Sequence, residues 1–122
     1  MTLYRFQYTL PPRRPVHWLG PSLHEVRGFP EEARKTIGAE LTLVQGGELP
    51  TDWKLLRGVG PGVMEVRVHQ PGEYRVLFVA KFAEAVYVLH AFAKKTRKTQ
   101  DRDLALARRR YAEMLALREQ SP

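Results

Sequence analysis

Apolar and polar positions alternate along much of this chain, and the period shifts between two and about 3.6. Tyr4, Phe6, Tyr8 and Leu10 fall against Leu3, Arg5, Gln7 and Thr9, which predicts a half-buried strand over 2–10. Pro11, Pro12 and Pro15 break it, since proline has no N–H to give to a ladder. A short strand is predicted at Val16–Leu19. Ser22-Leu23-His24-Glu25 has the spacing of a capping box, with Ser22 as N-cap and Glu25 reaching back, and Gly28 stops that helix. Pro30 suits a first helical position, and Glu31 and Glu32 complement the positive helix end. Ala33, Ile37, Leu41 and Val44 then share one face until Gly46-Gly47 ends the run. Residues 22–46 therefore read as a helical hairpin laid on a sheet.

From Trp53 the period returns to two. Lys54–Gly58 predicts a strand, and Gly58-Val59-Gly60-Pro61-Gly62 an inter-strand loop, because it lacks the Gly-Lys-Ser/Thr ending of a phosphate loop. In Val63–His69, Met64, Val66 and Val68 point inward, with Glu65, Arg67 and His69 outward. The turn Gln70-Pro71-Gly72 leads to a strand at Tyr74–Phe82, and Ala83-Glu84 to the next. Ala85–Ala93 is a continuous apolar run, as expected of a strand covered on both faces. It ends in Lys94, Lys95, Arg97 and Lys98, a cluster that must face water or a polyanion. Over Asp101–Glu119, Leu104, Ala107, Tyr111, Met114 and Leu115 line one helix face, and Arg102, Arg108, Arg109 and Arg110 much of the remainder. Thr99 or Asp101 is placed to cap that helix. The expected fold is α+β: an N-terminal helical hairpin on a mostly antiparallel sheet, with a C-terminal helix, as a single domain over 1–122.

Register arithmetic adds what periodicity does not. A three-residue loop at Gln70–Gly72 pairs His69 with Glu73 and sets Arg67 opposite Arg75. A two-residue loop at Ala83-Glu84 pairs Phe82 with Ala85 and sets Arg75 opposite Phe92. Arg67, Arg75, Phe92 and Lys94 then share one face across three strands, with His90 one pair inward. Like charges directly opposite are destabilising, so a carboxylate or an anionic ligand should offset them. Glu65, diagonal to Arg75, makes an exposed Arg–Glu–Arg network one reading. A phosphate site beside an aromatic stacking surface is the other.

Charge sharpens that choice: 20 Lys and Arg against 13 Asp and Glu give +7, a surplus suited to phosphate backbones or acidic partners. With no cysteine, thiol nucleophiles, disulfides and Cys-based metal sites are excluded. The two serines, Ser22 and Ser121, leave no serine hydrolase, and His17, His24, His69 and His90 lack metal-ligand spacing. On an apolar strand, His90 alone reads more readily as a satisfied core histidine than as a catalyst. No secretory leader or membrane span is legible, so a cytoplasmic protein is expected. What remains is chemistry done with Arg and Lys. Crowded cations stabilise a pentavalent phosphate, and RNA brings its own nucleophile, the 2′-hydroxyl.

The strings Val63-Met64-Glu65-Val66-Arg67, Tyr74-Arg75-Val76-Leu77 and Leu89-His90-Ala91-Phe92-Ala93-Lys94-Lys95-Thr96-Arg97-Lys98-Thr99 resemble the phage-derived HigB-like branch of the RelE/ParE toxin superfamily. Phe29-Pro30-Glu31-Glu32, Gly46-Gly47 and Leu56-Arg57-Gly58 match in the same order, so the likeness covers roughly residues 14–118. Residues 1–11 fall outside it and would form an added edge strand. The resemblance implies a RelE-like fold and a type II toxin that cleaves mRNA in the ribosomal A site without a metal or other cofactor. It also implies a cognate antitoxin, a helix-turn-helix HigA-like protein. Carried over by motif, Arg67 and Arg75 would hold the scissile phosphate and Lys94 would supply a cation or acid. Phe92 and His90 would shape the stacking surface, and Lys95, Arg97 and Lys98 would bind RNA. The general base stays open, with His90 and Lys98 as candidates. Two other readings are a ParE-like gyrase inhibitor without nuclease activity, and an inactive nucleic-acid-binding relative.

Overall fold

The computed structural model describes residues 13–120, so the strand expected at 2–10 and its added-edge role lie outside the described residues. Eight elements follow in order: β1 (Val16–Trp18), α1 (Ser22–Arg27), α2 (Glu31–Gln45), β2 (Trp53–Leu55), β3 (Val63–His69), β4 (Glu73–Val79), β5 (Val86–Ala93) and α3 (Asp101–Gln120). The strands form one sheet in the order β1-β5-β4-β3-β2. Every neighbouring pair is antiparallel except β1 with β5, which is parallel. This is the expected α+β architecture.

Strand alternation splits the core in two. Val66, Val68, Val76, Phe78, Val86 and Val88 face the hairpin, whose Ala33, Ile37, Leu41 and Val44 cover them. Val63, Leu77, Val79, Tyr87 and Leu89 face the opposite way, under Ala107, Tyr111 and Met114 of α3. On that second face the β3–β4 end carries Glu65, Arg67 and Arg75 in place of apolar residues.

Several expectations are corrected. Ser22 is not an N-cap: it is fully buried in the first turn and its hydroxyl donates to the Val88 carbonyl at 3.2 Å. Glu25 does not reach back either, because β1 stops at Trp18 and, among the described residues, leaves the far half of β5 without a strand partner on that side. Glu25 takes the Ala91 N–H there at 3.1 Å. The strand expected at Lys54–Gly58 is the shorter β2, and β4 ends at Val79, so Phe82 does not pair with Ala85. On α3, Leu115 is exposed whereas Arg110 is buried, drawn in by the Leu89 carbonyl at 3.0 Å.

The glycine-rich loop has a packing role. A Cβ on Gly60 would lie 2.6 Å from the Tyr111 ring, and the Tyr111 hydroxyl donates to the Pro61 carbonyl at 2.8 Å. Gly60 is thus the floor on which α3 seats its tyrosine. We expect Gly60→Ala to lower stability by about 1–3 kcal/mol through overpacking. Urea unfolding reads this directly, and a variant as stable as the parent would show that the loop and α3 are not in close contact.

Candidate nucleic-acid interface

The turn Gln70–Gly72 gives the expected register, with Arg67 opposite Arg75 and His69 opposite Glu73. Arg75 also lies opposite Phe92 as expected, but by a different route. The β4–β5 register shifts beside Leu77 and Phe78, and Leu89 is the extra residue on β5. A bulge of this kind re-aims every residue beyond it. Without the bulge the pairing of Val79 with Tyr87 would put Ala91 opposite Arg75 and turn Phe92 toward the helical hairpin.

Glu65 is the residue that the cations surround. Expected to point outward into water, it is instead fully buried. Its Oε2 is 3.2 Å from Arg75 Nε and its Oε1 3.5 Å from Lys54 Nζ. By distance these are ion pairs, yet both Glu65 oxygens and Arg75 Nε lack an aligned hydrogen bond. The contact is therefore mainly Coulombic. Arg75, itself buried, also donates through Nη1 to the Tyr74 carbonyl at 3.0 Å and to Glu73 Oε1 at 3.2 Å. Arg67 stands alongside, with Asp52 Oδ1 3.8 Å from its Nη1. Buried polar groups short of hydrogen bonds are costly and call for a functional reason.

Lys94 continues the same face past the end of β5, and its N–H donates to the Glu73 carbonyl at 2.7 Å. Partial burial holds its ammonium pKa below the usual lysine value, and the charge of Arg75 adds to this, with smaller contributions from Lys54 and Arg67. Glu65 opposes the shift without cancelling it. Glu73, Arg75, Lys94, Lys95, Thr96 and Arg97 line a shallow hollow here. At its rim His69 lies between two carboxylates, Nε2 at 2.7 Å from Asp52 Oδ2 and Nδ1 at 2.8 Å from Glu73 Oε1. Hydrogen bonds to Asp52 and Glu73 raise its pKa above the ordinary histidine value. Among the described residues no group of three or more His, Asp or Glu is arranged to hold a metal.

His90 does not reach this hollow. It is buried, its ring stacked on Phe92 with centroids 5.2 Å apart and planes at 24°. Its Nε2 donates to Asp103 Oδ1 at 2.8 Å, and its Nδ1 lies 3.1 Å from Glu25 Oε1. Arg110 donates to both Glu25 oxygens at 3.2 and 3.3 Å. Burial works to raise the Glu25 pKa, but hydrogen bonds from His90 and the Ala91 N–H, with the charges of His90 and Arg110, hold it below the usual value. The cluster ties α1, β5 and α3 together beneath the site.

The structure thus gathers Arg67, Arg75 and Lys94 on one face, with Lys95 and Arg97 at the edge of the same hollow. Lys98 lies beyond, lining a neighbouring pocket. Phe92, expected to shape a stacking surface, is instead buried in the core under α3 and only contributes to that pocket's lining. Sequence reasoning passed over Lys54, Asp52, Glu73, Glu25, Asp103 and Arg110. Parity along β4 places Glu73 with Arg75, a signal that was available; the contacts of Glu25 and Arg110 cross distant elements and left none.

Residues 24–112 match the sequence profile of the family described as phage derived protein Gp49-like. The chain belongs to this family. No curated protein matches it significantly. The Gp49-like stretch runs from α1 into α3 and so contains the whole cationic face and the His90 cluster. No helix among the described residues is long and apolar enough to cross a membrane.

The buried pair has a measurable consequence for this Gp49-like chain. Arg75→Ala leaves the buried Glu65 with only the half-exposed Lys54 as counter-charge and should cost about 3–5 kcal/mol. A double variant, Arg75→Met with Glu65→Leu, should recover most of that loss, since apolar replacement of a buried pair is often neutral or better. Denaturant titration of both decides it; a stable single variant would mean that Glu65 is not buried against Arg75.

Proposed function

We propose that this protein is the toxin of a type II toxin–antitoxin system, an endoribonuclease that cuts mRNA on the ribosome and so stops translation. The observation that carries the reading is the convergence of Lys54, Arg67, Arg75 and Lys94 on one sheet face around a buried carboxylate. A sheet holds these charges rigidly, and preorganised charge is the main way proteins stabilise a phosphorane transition state. Membership in a phage-derived family and the sequence likeness to RelE-type toxins point the same way. The partner expected on this reading is an antitoxin of helix-turn-helix type that covers the cationic face.

In the proposed reaction the 2′-hydroxyl gives its proton to solvent water as its oxygen attacks the adjacent phosphorus, the P–O5′ bond breaks, and a 2′,3′-cyclic phosphate and a 5′-hydroxyl result. Arg67 and Arg75 neutralise the equatorial oxygens. Lys94 gives a proton to the departing 5′-oxygen, a task eased by a pKa below the ordinary lysine value. The acid must be protonated, so activity should fall as pH rises through that lowered pKa.

Lys94→Arg keeps the charge but removes the titratable acid, because a guanidinium does not deprotonate in proteins. Primer extension on mRNA in programmed ribosomes should show wild-type cleavage in the A-site codon. The variant should cut about 10²-fold more slowly, without the alkaline fall in rate. If the folded wild-type protein blocks growth by damaging DNA, with mRNA left intact, the reading is wrong and a gyrase-directed activity takes its place.

A further inference from the structure

A second recess adjoins the phosphate hollow, between the end of β5, the 94–100 loop and the start of α3. Its volume is about 230 Å³, below the roughly 300–1,000 Å³ of sites that take drug-sized ligands, so it suits a single ring system. Lys94, Lys95 and Thr96 line both recesses. A nucleotide with its phosphate among Arg75, Lys94 and Lys95 would therefore have its base within reach of this one.

The recess carries one feature that points to a ligand. Asp103 is buried, with only 10% of its side chain exposed. Its Oδ1 accepts from His90 Nε2 at 2.8 Å, whereas among the described residues no hydrogen bond reaches Oδ2, and Asp103 is part of the lining. His90 is itself held by Glu25 at 3.1 Å, which anchors the partner of Oδ1. Phe92, buried and stacked on the His90 ring, adds an apolar patch to the lining. Lys95, Lys98 and Arg102 supply donors in the same lining.

We propose that this recess reads a guanine base of the RNA substrate, with Asp103 Oδ2 as the specificity determinant. A carboxylate oxygen only accepts, so it needs a base edge that presents N–H groups. Guanine offers N1–H and N2–H side by side on its Watson–Crick edge. Its O6 and N7 are acceptors of the kind that lysine and arginine bond. Uracil offers one N–H flanked by two carbonyl oxygens, which the carboxylate repels. Adenine and cytosine each present an amino group beside a ring acceptor. Guanine alone matches both the acceptor and the donors around the recess.

This inference rests on the ribonuclease reading for its biological setting, but its test separates the two. Calorimetric titration of the intact chain with 5′-GMP, 5′-AMP, 5′-CMP and 5′-UMP measures the recess directly. GMP should bind at least about tenfold more tightly than UMP, the discrimination expected of a well-placed polar pair. In Asp103→Asn the amide oxygen still accepts from His90 while the NH₂ group replaces Oδ2, so the fold is kept and the preference for GMP should vanish. Cleavage sites mapped for the wild type should carry guanine at one fixed position, and those of Asp103→Asn should not. Equal affinity for the four nucleotides, or tighter binding of another base, overturns the recess while cleavage itself stands. A GMP preference in a protein that cuts no RNA would support the recess and sink the ribonuclease reading instead.

Discussion

A carboxylate buried at full depth, Glu65, is the constraint on which the cationic face depends. Burying an ion costs several kcal/mol after relaxation, and only close opposite charge makes it tolerable. Arg75 and Lys54 provide that charge, and in doing so are fixed in place on adjoining strands. The same carboxylate makes it feasible for Arg67 to stand directly opposite Arg75, a pairing that would otherwise weaken the sheet. The result is a face whose positive groups are held apart from one another yet all directed at one region.

A single extra residue, Leu89, then decides what joins them. The bulge at that point brings Phe92 and Lys94 to the Arg75 side and turns His90 toward α3. Glu25 takes the Ala91 N–H on the edge of β5 beyond β1, and Arg110 bridges Glu25 to the Leu89 carbonyl. Each polar group in this cluster sits on a different element from its partner. The cluster therefore fixes α1 and α3 against the strand that carries Phe92, which is how a buried histidine serves a surface it does not touch.

Much of this was legible in the sequence where interactions are local or set by parity. The β3–β4 register followed from a three-residue turn, and the α2 core face from 3.6-residue spacing. The pairing of Arg75 with Phe92 was reached from a wrong loop. The connection is longer than two residues, and the bulge restored the offset that the shorter loop would have given. Ser22 and Glu25 misled because their spacing mimics a cap, while the stronger partners, Val88 and Ala91, are more than sixty residues away. Alternation placed Glu65 on the correct face but in water, because period two reports which side a residue faces and not what lies above it. Arg110, one of several arginines on a helix, carried no mark of its buried role.

The central claim is that RNA phosphates are held by the Glu65-centred cations and not by the general positive charge of the chain. Salt dependence of single-stranded RNA binding tests it most directly, with wild type compared against Arg67→Ala, a half-exposed position at which loss of the side chain strands no buried charge. Each neutralised phosphate contributes a slope of about −0.7 in log affinity against log salt. The account predicts a variant slope shallower by about that amount. Identical slopes for the two proteins would contradict it and place the RNA elsewhere on the surface.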